Sequence, residues 1–353
     1  SGLNYIITIL QSILQSVFLV ITHNYLVYLL IQTAGTFIYN VTISTIAGNR
    51  FPFIKAKNIR PLEREERQSL FNNIRDLTIY KISGLLVNST DNILITFFKG
   101  LATTGVASNY TLLVNTLNSL LNQVFNGLTA SVGNHNATES DEKKFAMFSF
   151  LNLMNFWIFG WAALGIVFCS TDLVRLCFGD EYVLSISIPL VMALNFYTVG
   201  LQNAVWTYKQ TMGLFYYGRF LQIITAILNI VFSVILGYKW GVFGILFATF
   251  LARLFTNLWY DPYAVFVHGF SKSPMLYLVK YIQYLVVLGI AAGVCYIVLT
   301  PIHMPIFAQI ILKILLCSII CNIIFYIIFR KTQEFQKVKE IAKNVFSILL
   351  WRK

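Results

Sequence analysis

The chain has 353 residues, of which 57% are apolar, 16% aromatic and only 11% charged, and its mean hydropathy is +0.70. Soluble domains average about 25% charged residues, so this composition excludes a soluble globular protein and indicates a polytopic membrane protein. The formal net charge of +12 does not indicate a nucleic-acid partner, because the basic residues lie in loops between apolar segments.

Cysteine and histidine usage gives no sign of a metal centre or of a disulfide framework. The five cysteines are an odd number and most fall inside apolar segments. Cys169 and Cys177 flank one predicted outer loop and can pair, but two free thiols are the favoured interpretation. The four histidines lie far apart near predicted helix ends, so we expect no metal site and no cofactor.

Ten apolar segments are long enough to cross a bilayer, which takes about 20 helical residues. They are 3–22, 25–48, 77–98, 105–132, 146–169, 183–208, 218–237, 241–267, 276–300 and 306–329. We place segment 50–76 in the cytoplasm and assign successive loops to alternate sides of the membrane. Of the 26 Lys and Arg residues, 20 then fall in cytoplasmic loops, three in outer loops and three within spans. The distribution predicts ten transmembrane helices with both chain termini in the cytoplasm.

The polar segment 50–76 separates the first two spans from the other eight. Leu70, Phe71 and Ile74 recur there at helical spacing among charged residues, which favours an amphipathic helix at the cytoplasmic interface. A solvated linker is the alternative interpretation. The basic tail 331–353 is predicted to be an amphipathic helix on anionic lipid.

The span 77–98 carries charged and amide side chains within an otherwise apolar helix. Asn88 and Asn92 each fall within about 20° of Lys81 around the helix, and Asp91 lies about 80° from Lys81. Inserting a charged side chain near the bilayer centre costs about 2.5–3.5 kcal/mol of free energy. One side of this helix is therefore predicted to face a water-filled or polar space. Asp91 is a candidate for holding a coupling proton or cation. The alternative is a structural pair with Lys81, although about 15 Å of helical rise separates the two.

Polar stripes recur in several other spans. The stripe on 105–132 lies within an arc of about 80° and consists of Thr111, Asn115, Asn118, Asn122 and Asn126. Others are Thr33, Thr36, Asn40 and Ser44; Asn195, Thr198, Gln202, Lys209 and Gln210; Gln222, Thr225, Asn229 and Ser233; and Thr249, Arg253, Thr256 and Asn257. A single stripe usually joins helices, but five stripes with charged residues favour a shared polar cavity. The last two spans are almost entirely apolar, and Lys313 either snorkels outward or faces the cavity.

Three segments resemble a known family of membrane proteins. They are TDNILITFFKGLATTGVASNYTLLVNTL at 90–117, RLCFGDEY at 175–182 and NYI at 4–6. These segments resemble the polysaccharide transporters, with their Wzx-type flippases, of the multidrug/oligosaccharidyl-lipid/polysaccharide (MOP) exporter superfamily. The resemblance implies an all-α fold with two six-helix, MATE-like lobes around a central cavity, often followed by two extra helices.

On that template the first lobe of this chain is incomplete. The implied parts are 1–49 as the last two helices of the first lobe, 50–76 as the linker, 77–267 as the second lobe, 275–330 as the extra helices and 331–353 as the tail. Four helices of the first lobe are then absent, so residues 1–353 alone are not expected to transport a substrate.

The resemblance implies a flippase that moves undecaprenyl-pyrophosphate-linked oligosaccharide across the bacterial cytoplasmic membrane by alternating access, for capsule or O-antigen-type polysaccharide. The predicted pyrophosphate contacts are Lys81, Arg253 and Lys209. The predicted sugar contacts are Asn88, Asn92, Asn115, Asn118, Asn122, Asn126 and Gln202. The isoprenoid chain stays in lipid or runs along the last two helices. The expected partners are the lipid-linked oligosaccharide, membrane lipids and other proteins of polysaccharide assembly.

Other functions are weighed against this one. A lipid II flippase is a close alternative. A multidrug or cation antiporter would favour acidic cavity residues, whereas one mid-membrane acidic residue, Asp91, stands against three basic ones. A membrane-embedded polysaccharide polymerase would need acid–base residues on a large outer loop, and the longest predicted outer loop, 170–183, contains no histidine. The chain is therefore not expected to be an enzyme.

Overall fold

The computed structural model describes residues 2–55, 62–218 and 220–340, and its regular structure there is all helical. The α-helices are α1 Gly2–Thr22, α2 Tyr25–Arg50, α3 Arg64–Thr138, α4 Asp141–Phe178, α5 Ser187–Thr211, α6 Leu221–Phe255, α7 Asn257–Ala264, α8 Met275–Leu299 and α9 Ile306–Phe329. A π-helix, Val265–Gly269, continues α7. Among the described residues, six helical segments are long and apolar enough to cross a membrane. The prediction of an all-α, multi-pass membrane protein is confirmed.

Helix α3 is a hairpin of two antiparallel arms that meet at Gly100. This glycine has a φ of 84°, a left-handed conformation that side-chain-bearing residues rarely adopt. The hydroxyl oxygens of Thr96 and Thr104 lie 2.8 Å apart, whereas eight residues of straight helix span about 12 Å. The chain therefore reverses here. The first arm, 64–99, and the second arm, 101–138, contain the predicted spans 77–98 and 105–132.

Helix α6 reverses in the same way at Gly241, where φ is 60°. Asn229 Nδ2 lies 2.8 Å from Thr249 Oγ1, although a straight helix would place these residues about 30 Å apart. The first arm is 221–240, and the second arm, 242–255, leads into α7. When the arms are counted separately and α7 is joined to the second arm of α6, the described helices correspond to the ten predicted spans.

The chain divides into two compact units, with the boundary between Gln68 and Ser69. The first unit contains the hairpin of α1 and α2, in which Gln15 Nε2 donates to the backbone oxygen of Tyr28 at 3.4 Å. In the predicted linker 50–76, Pro52–Lys55 is a 3-10 turn and α3 begins at Arg64. Residues 56–61, and residues 341–353 of the predicted tail, lie outside the described residues.

In the second unit, α4 is the central helix against which α5, α8 and α9 pack. The ring of Phe156 stacks on Tyr284 of α8 with centroids 4.4 Å apart and contacts Phe325 of α9 at 4.8 Å. All three rings are at least 98% buried. Burial of aromatic side chains against one another therefore fixes the last two helices to α4.

The structure corrects two predictions near the end of α4. The predicted outer loop 170–183 is largely helical, because α4 continues to Phe178. Asp172 is buried there, and its Oδ2 lies 2.7 Å from Lys313 Nζ and accepts a hydrogen bond from Gln309 Nε2 at 3.1 Å. Lys313 therefore neither snorkels nor faces the polar cavity. It forms an ion pair that joins α9 to α4.

Candidate functional site: a polar cavity beside an apolar groove

A cavity of about 430 Å³ lies in the second unit among the two arms of α3, α5 and the second arm of α6. We call it the polar cavity. Its polar lining residues are Asp91, Asn92, Thr111, Asn115, Asn118, Asn195, Trp206, Thr249 and Arg253. Five of the residues predicted to contact substrate or a coupling ion are thereby brought together: Asp91, Asn92, Asn115, Asn118 and Arg253.

Helical spacing explains why these side chains converge. Thr111, Asn115 and Asn118 follow one another at intervals of four and three residues, which places them on one face of the second arm of α3. Thr249 and Arg253 are four residues apart on the second arm of α6 and share a face in the same way. The hairpin turns at Gly100 and Gly241 bring these faces together.

A chain of hydrogen bonds links Asp91 to α6. The hydroxyl of Thr249 lies 2.9 and 3.0 Å from the two carboxylate oxygens of Asp91. The same hydroxyl accepts a hydrogen bond from Asn229 Nδ2 at 2.8 Å, so it can donate its own hydrogen to Asp91. The charge of Arg253 also interacts with Asp91. A negative and a positive group therefore stand together at the cavity wall.

Amide side chains join the helices that enclose the cavity. Asn195 Nδ2 donates to the backbone oxygen of Leu246 at 2.9 Å, which connects α5 to α6. Asn122 donates to Asn118 Oδ1 at 3.0 Å and accepts from Asn203 Nδ2 at 3.0 Å. Asn122, predicted to contact sugar, thus bridges the second arm of α3 to α5 behind the cavity lining.

Lys209, predicted to contact pyrophosphate, is instead buried in an ion pair with Asp261 of α7. The distance from Lys209 Nζ to Asp261 Oδ1 is 2.6 Å, and the two side chains are only 4% and 0% exposed. Trp206 Nε1 and Asn257 Nδ2 donate to the other carboxylate oxygen at 3.1 and 3.0 Å. The charge of a buried carboxylate that accepts from three donors is well compensated, so the geometry gives the pair of Lys209 and Asp261 a structural role.

Asp261 is a mid-span acidic residue that the sequence analysis overlooked, so the comparison of one acidic with three basic residues was wrong. The available signal was a carboxylate inside the apolar segment 241–267, four residues after Asn257. Because the structure also pairs Asp172 with Lys313, the charges of the described spans are more evenly balanced than the sequence suggested.

Gln202, predicted to contact sugar, is completely buried. Neither its Nε2 nor its Oε1 has a hydrogen-bond partner among the described residues. The side chains of the other three predicted contacts, Lys81, Asn88 and Asn126, lie outside the described part of the structure.

A second concavity of about 490 Å³ lies between the second arm of α3, α4 and α9. We call it the apolar groove. It is lined by Leu112, Leu113, Thr116, Leu117, Leu120, Trp161, Ala162, Gly165, Ile166, Cys169, Ser170, Leu173, Ile314, Cys317 and Ser318. Trp161 Nε1 donates to Ser318 Oγ at 3.0 Å and so connects α4 to α9. The sequence analysis did not predict this groove.

The two concavities use different faces of the same helical arm. On the second arm of α3, Thr111, Asn115 and Asn118 line the polar cavity, and residues such as Leu112 and Leu120 line the apolar groove. At 100° per residue, the mean directions of the two sets lie about 165° apart around the helix. One helix therefore separates a polar compartment from an apolar one.

This arrangement belongs to a fold already known among solved structures. The structure is similar to "Lipid II flippase MurJ, inward closed conformation", with a TM-score of 0.61 and 16% sequence identity. The chain has the MurJ fold. The match covers 89% of this chain, which spans 64% of the length of that flippase chain. At this identity the likeness shows the fold alone.

No family model matches the sequence, and a search of the curated proteins found no match. The structural likeness confirms the predicted fold in its coarse form, as an all-helical, multi-pass fold similar to that of MurJ. The finer prediction of a Wzx-type flippase stays a prediction.

Proposed function

We propose that this chain carries the substrate-binding part of a protein that moves a lipid-linked oligosaccharide across the bacterial cytoplasmic membrane by alternating access. Such a ligand combines a charged, hydroxyl-rich head group with a long apolar isoprenoid chain. The observation that carries the proposal is the pairing of the polar cavity with the apolar groove on two faces of one helical arm. The MurJ fold supports the same class of function.

The head group is assigned to the polar cavity. Arg253 offers a planar guanidinium fork that matches the oxygens of a pyrophosphate. Two unit charges about 4 Å apart attract each other by roughly 4 kcal/mol at an effective dielectric constant of 20. Asn92, Asn115 and Asn118 supply both donors and acceptors for sugar hydroxyls. At about 430 Å³ the cavity is within the usual range for small-ligand pockets.

The isoprenoid chain is assigned to the apolar groove. Its transfer from lipid into the groove gains little hydrophobic free energy, because lipid tails are as apolar as the leucines of the wall. The groove therefore determines mainly where the isoprenoid chain lies and adds little to its binding free energy. It holds the chain beside the helix whose other face contacts the head group.

Asp91 is proposed as the site that couples transport to a proton or cation. The carboxylate is reached from the cavity and is connected through Thr249 to Asn229. Asn229 Oδ1 and Ser233 Oγ on the same arm of α6 are buried without a hydrogen-bond partner among the described residues. These oxygens are suitable acceptors for a cation or a protonated group.

Lipid II is the second candidate substrate, because the fold is that of a lipid II flippase. Lipid II and an undecaprenyl-pyrophosphate oligosaccharide share the pyrophosphate and the isoprenoid chain, so both suit the cavity and the groove. They differ only in the part of the head group that the amide side chains contact.

Native mass spectrometry of the 353-residue protein in lipid nanodiscs tests the proposal. The ligands are an undecaprenyl-pyrophosphate oligosaccharide, lipid II and undecaprenol. We expect both pyrophosphate lipids to bind at least tenfold more tightly than undecaprenol, and direct competition between them assigns the preferred head group. Equal binding of undecaprenol would contradict a head-group site.

We further propose that loops on the Gly100 and Gly241 side face outward, with the termini in the cytoplasm. In a cysteine-free background, an impermeant thiol reagent should label single cysteines placed at Lys99 and Lys239 from outside intact cells. A cysteine placed at Lys57 should react only after the membrane is opened. The reverse pattern would contradict this orientation.

A further inference from the structure

Three cysteines from the last two helices meet in the interior of the second unit. Cys295 lies on α8, and Cys317 and Cys321 lie one turn apart on α9. Their sulfur atoms all lie within 4.8 Å of one another, and the Cys317 and Cys321 sulfurs are 3.9 Å apart. Each residue is at most 1% exposed. We call this group the cysteine triad.

The spacing of the sulfur atoms suits a metal ion bound by all three. A metal with bonds of about 2.3 Å to three sulfurs in one plane holds those sulfurs about 4.0 Å apart. The observed 3.9 Å between Cys317 and Cys321 already agrees with this value. Small side-chain rotations are sufficient to bring the Cys295 sulfur to the same distance.

We propose that the cysteine triad binds one Cu(I) ion, which joins α8 to α9. Thiolates are soft ligands that select soft cations such as Cu(I). Structural zinc sites almost always have four protein ligands, and among the described residues no other histidine, cysteine, aspartate or glutamate belongs to the group. Three sulfur donors therefore fit a three-coordinate ion better than Zn²⁺.

Binding of the ion is a proton-releasing step. Each cysteine that binds Cu(I) loses its thiol proton to solvent, because the thiolate is the form that binds a metal. No electron is transferred, since the ion enters and remains as Cu(I).

The cysteine triad adjoins the apolar groove. Cys317 belongs both to the triad and to the groove wall, where Cys169 also lies. The remaining cysteine, Cys177, is exposed and lies outside the triad. The chain therefore contains its own matched control for a thiol that does not take part.

Anaerobic titration of the purified protein with the Cu(I)–bicinchoninate complex tests the proposal. We expect the wild-type protein to remove one equivalent of Cu(I) from the chelator and to melt at a higher temperature afterwards, because a ligand that binds only the folded state stabilises it. Cys317→Ser should lower the affinity at least tenfold and abolish the thermal shift. Cys177→Ser should behave as the wild type.

X-ray absorption of the copper-loaded wild-type protein gives an answer that does not depend on a variant folding. The expected spectrum is that of Cu(I) with three sulfur neighbours. Nitrogen or oxygen neighbours, no removal of Cu(I) from the chelator, or displacement of the copper by one equivalent of Zn²⁺ would each overturn the assignment. Uptake that is lost in Cys177→Ser and kept in a folded Cys317→Ser protein would overturn it as well.

Discussion

The polar cavity and the apolar groove share one helical arm, yet the hydroxyls of Thr249 in the cavity and Thr116 in the groove make different contacts. In the cavity, Thr249 crosses between helices to contact Asp91 at 2.9 Å. In the groove, the hydroxyl of Thr116 donates to a backbone oxygen of its own helix at 2.8 Å. A hydroxyl whose hydrogen bond stays within its own helix leaves the neighbouring surface apolar.

Residue type alone therefore does not make a membrane-embedded surface polar. The groove contains Thr116, Ser170 and Ser318 and is otherwise lined by apolar side chains, whereas several side chains of the cavity bond across helices or face an open space. The account therefore depends on which face of the shared arm each ligand part meets. Substitutions on each side of that arm test the two assignments separately.

The largest expected effect belongs to Lys209→Met, which leaves the carboxylate of Asp261 buried without its cation. Loss of one partner of a buried ion pair typically costs about 3–5 kcal/mol of unfolding free energy. Denaturant unfolding in detergent measures it, and the double variant Lys209→Met/Asp261→Leu should recover most of the loss. A Lys209→Met protein of normal stability that fails to bind head group would instead place Lys209 in the polar cavity, as the sequence suggested.

Arg253→Ala should weaken binding of the pyrophosphate lipid. A hydrogen bond to a charged group contributes about 1.5–3 kcal/mol, so we expect a loss of about tenfold to a hundredfold. Arg253→Lys keeps the charge but lacks the fork and should bind with intermediate affinity. Recovered binding in Asp91→Ala/Arg253→Ala would show that Arg253 serves only to neutralise Asp91.

Gly165→Leu tests the groove by filling it. A Cβ atom at Gly165 would meet no other heavy atom within 4 Å, and Gly165 lines the groove, so a larger side chain can enter the groove there. We expect a severalfold loss of affinity for the intact lipid, smaller than that of Arg253→Ala, because a displaced isoprenoid chain can remain in the bilayer. Gly289→Leu on α8, which is equally unobstructed, is the matched control and should bind normally.

The smallest expected difference is between Thr111→Val and Thr116→Val. Both hydroxyls donate to the backbone four residues earlier, at 3.1 and 2.8 Å, so the local cost of each change is the same. Thr111 faces the cavity and Thr116 the groove. We expect Thr111→Val to weaken head-group binding by less than about 1 kcal/mol and Thr116→Val to leave it unchanged. Equal effects would contradict the separation of the two faces.

The sequence predicted the parts of this site that depend on local periodicity. Thr111, Asn115 and Asn118 share a helix face by spacing alone, and the turns between apolar segments were visible near Gly100 and Gly241. Long-range pairs were not predictable in this way. Asp261 and Lys209 are 52 residues apart and Asp172 and Lys313 are 141 residues apart, so no local pattern connects them.

The groove was missed for a different physical reason. Its wall consists of the residue types that also face lipid, such as Leu112, Leu120 and Ile314. Helical periodicity separates polar from apolar faces but does not distinguish an apolar face that contacts lipid from one that lines a groove. Only the packing of α9 against α4 creates that difference.

Photo-crosslinking with two versions of the same lipid-linked oligosaccharide tests the central claim most directly. One version carries a diazirine on the first sugar, and the other carries it within the isoprenoid chain. The account predicts that the sugar probe labels peptides of α5 and the second arm of α6, near Asn195 and Arg253, and that the chain probe labels peptides of α4 and α9, near Gly165 and Ile314. Labelling of the same peptides by both probes would contradict the division into a polar cavity and an apolar groove.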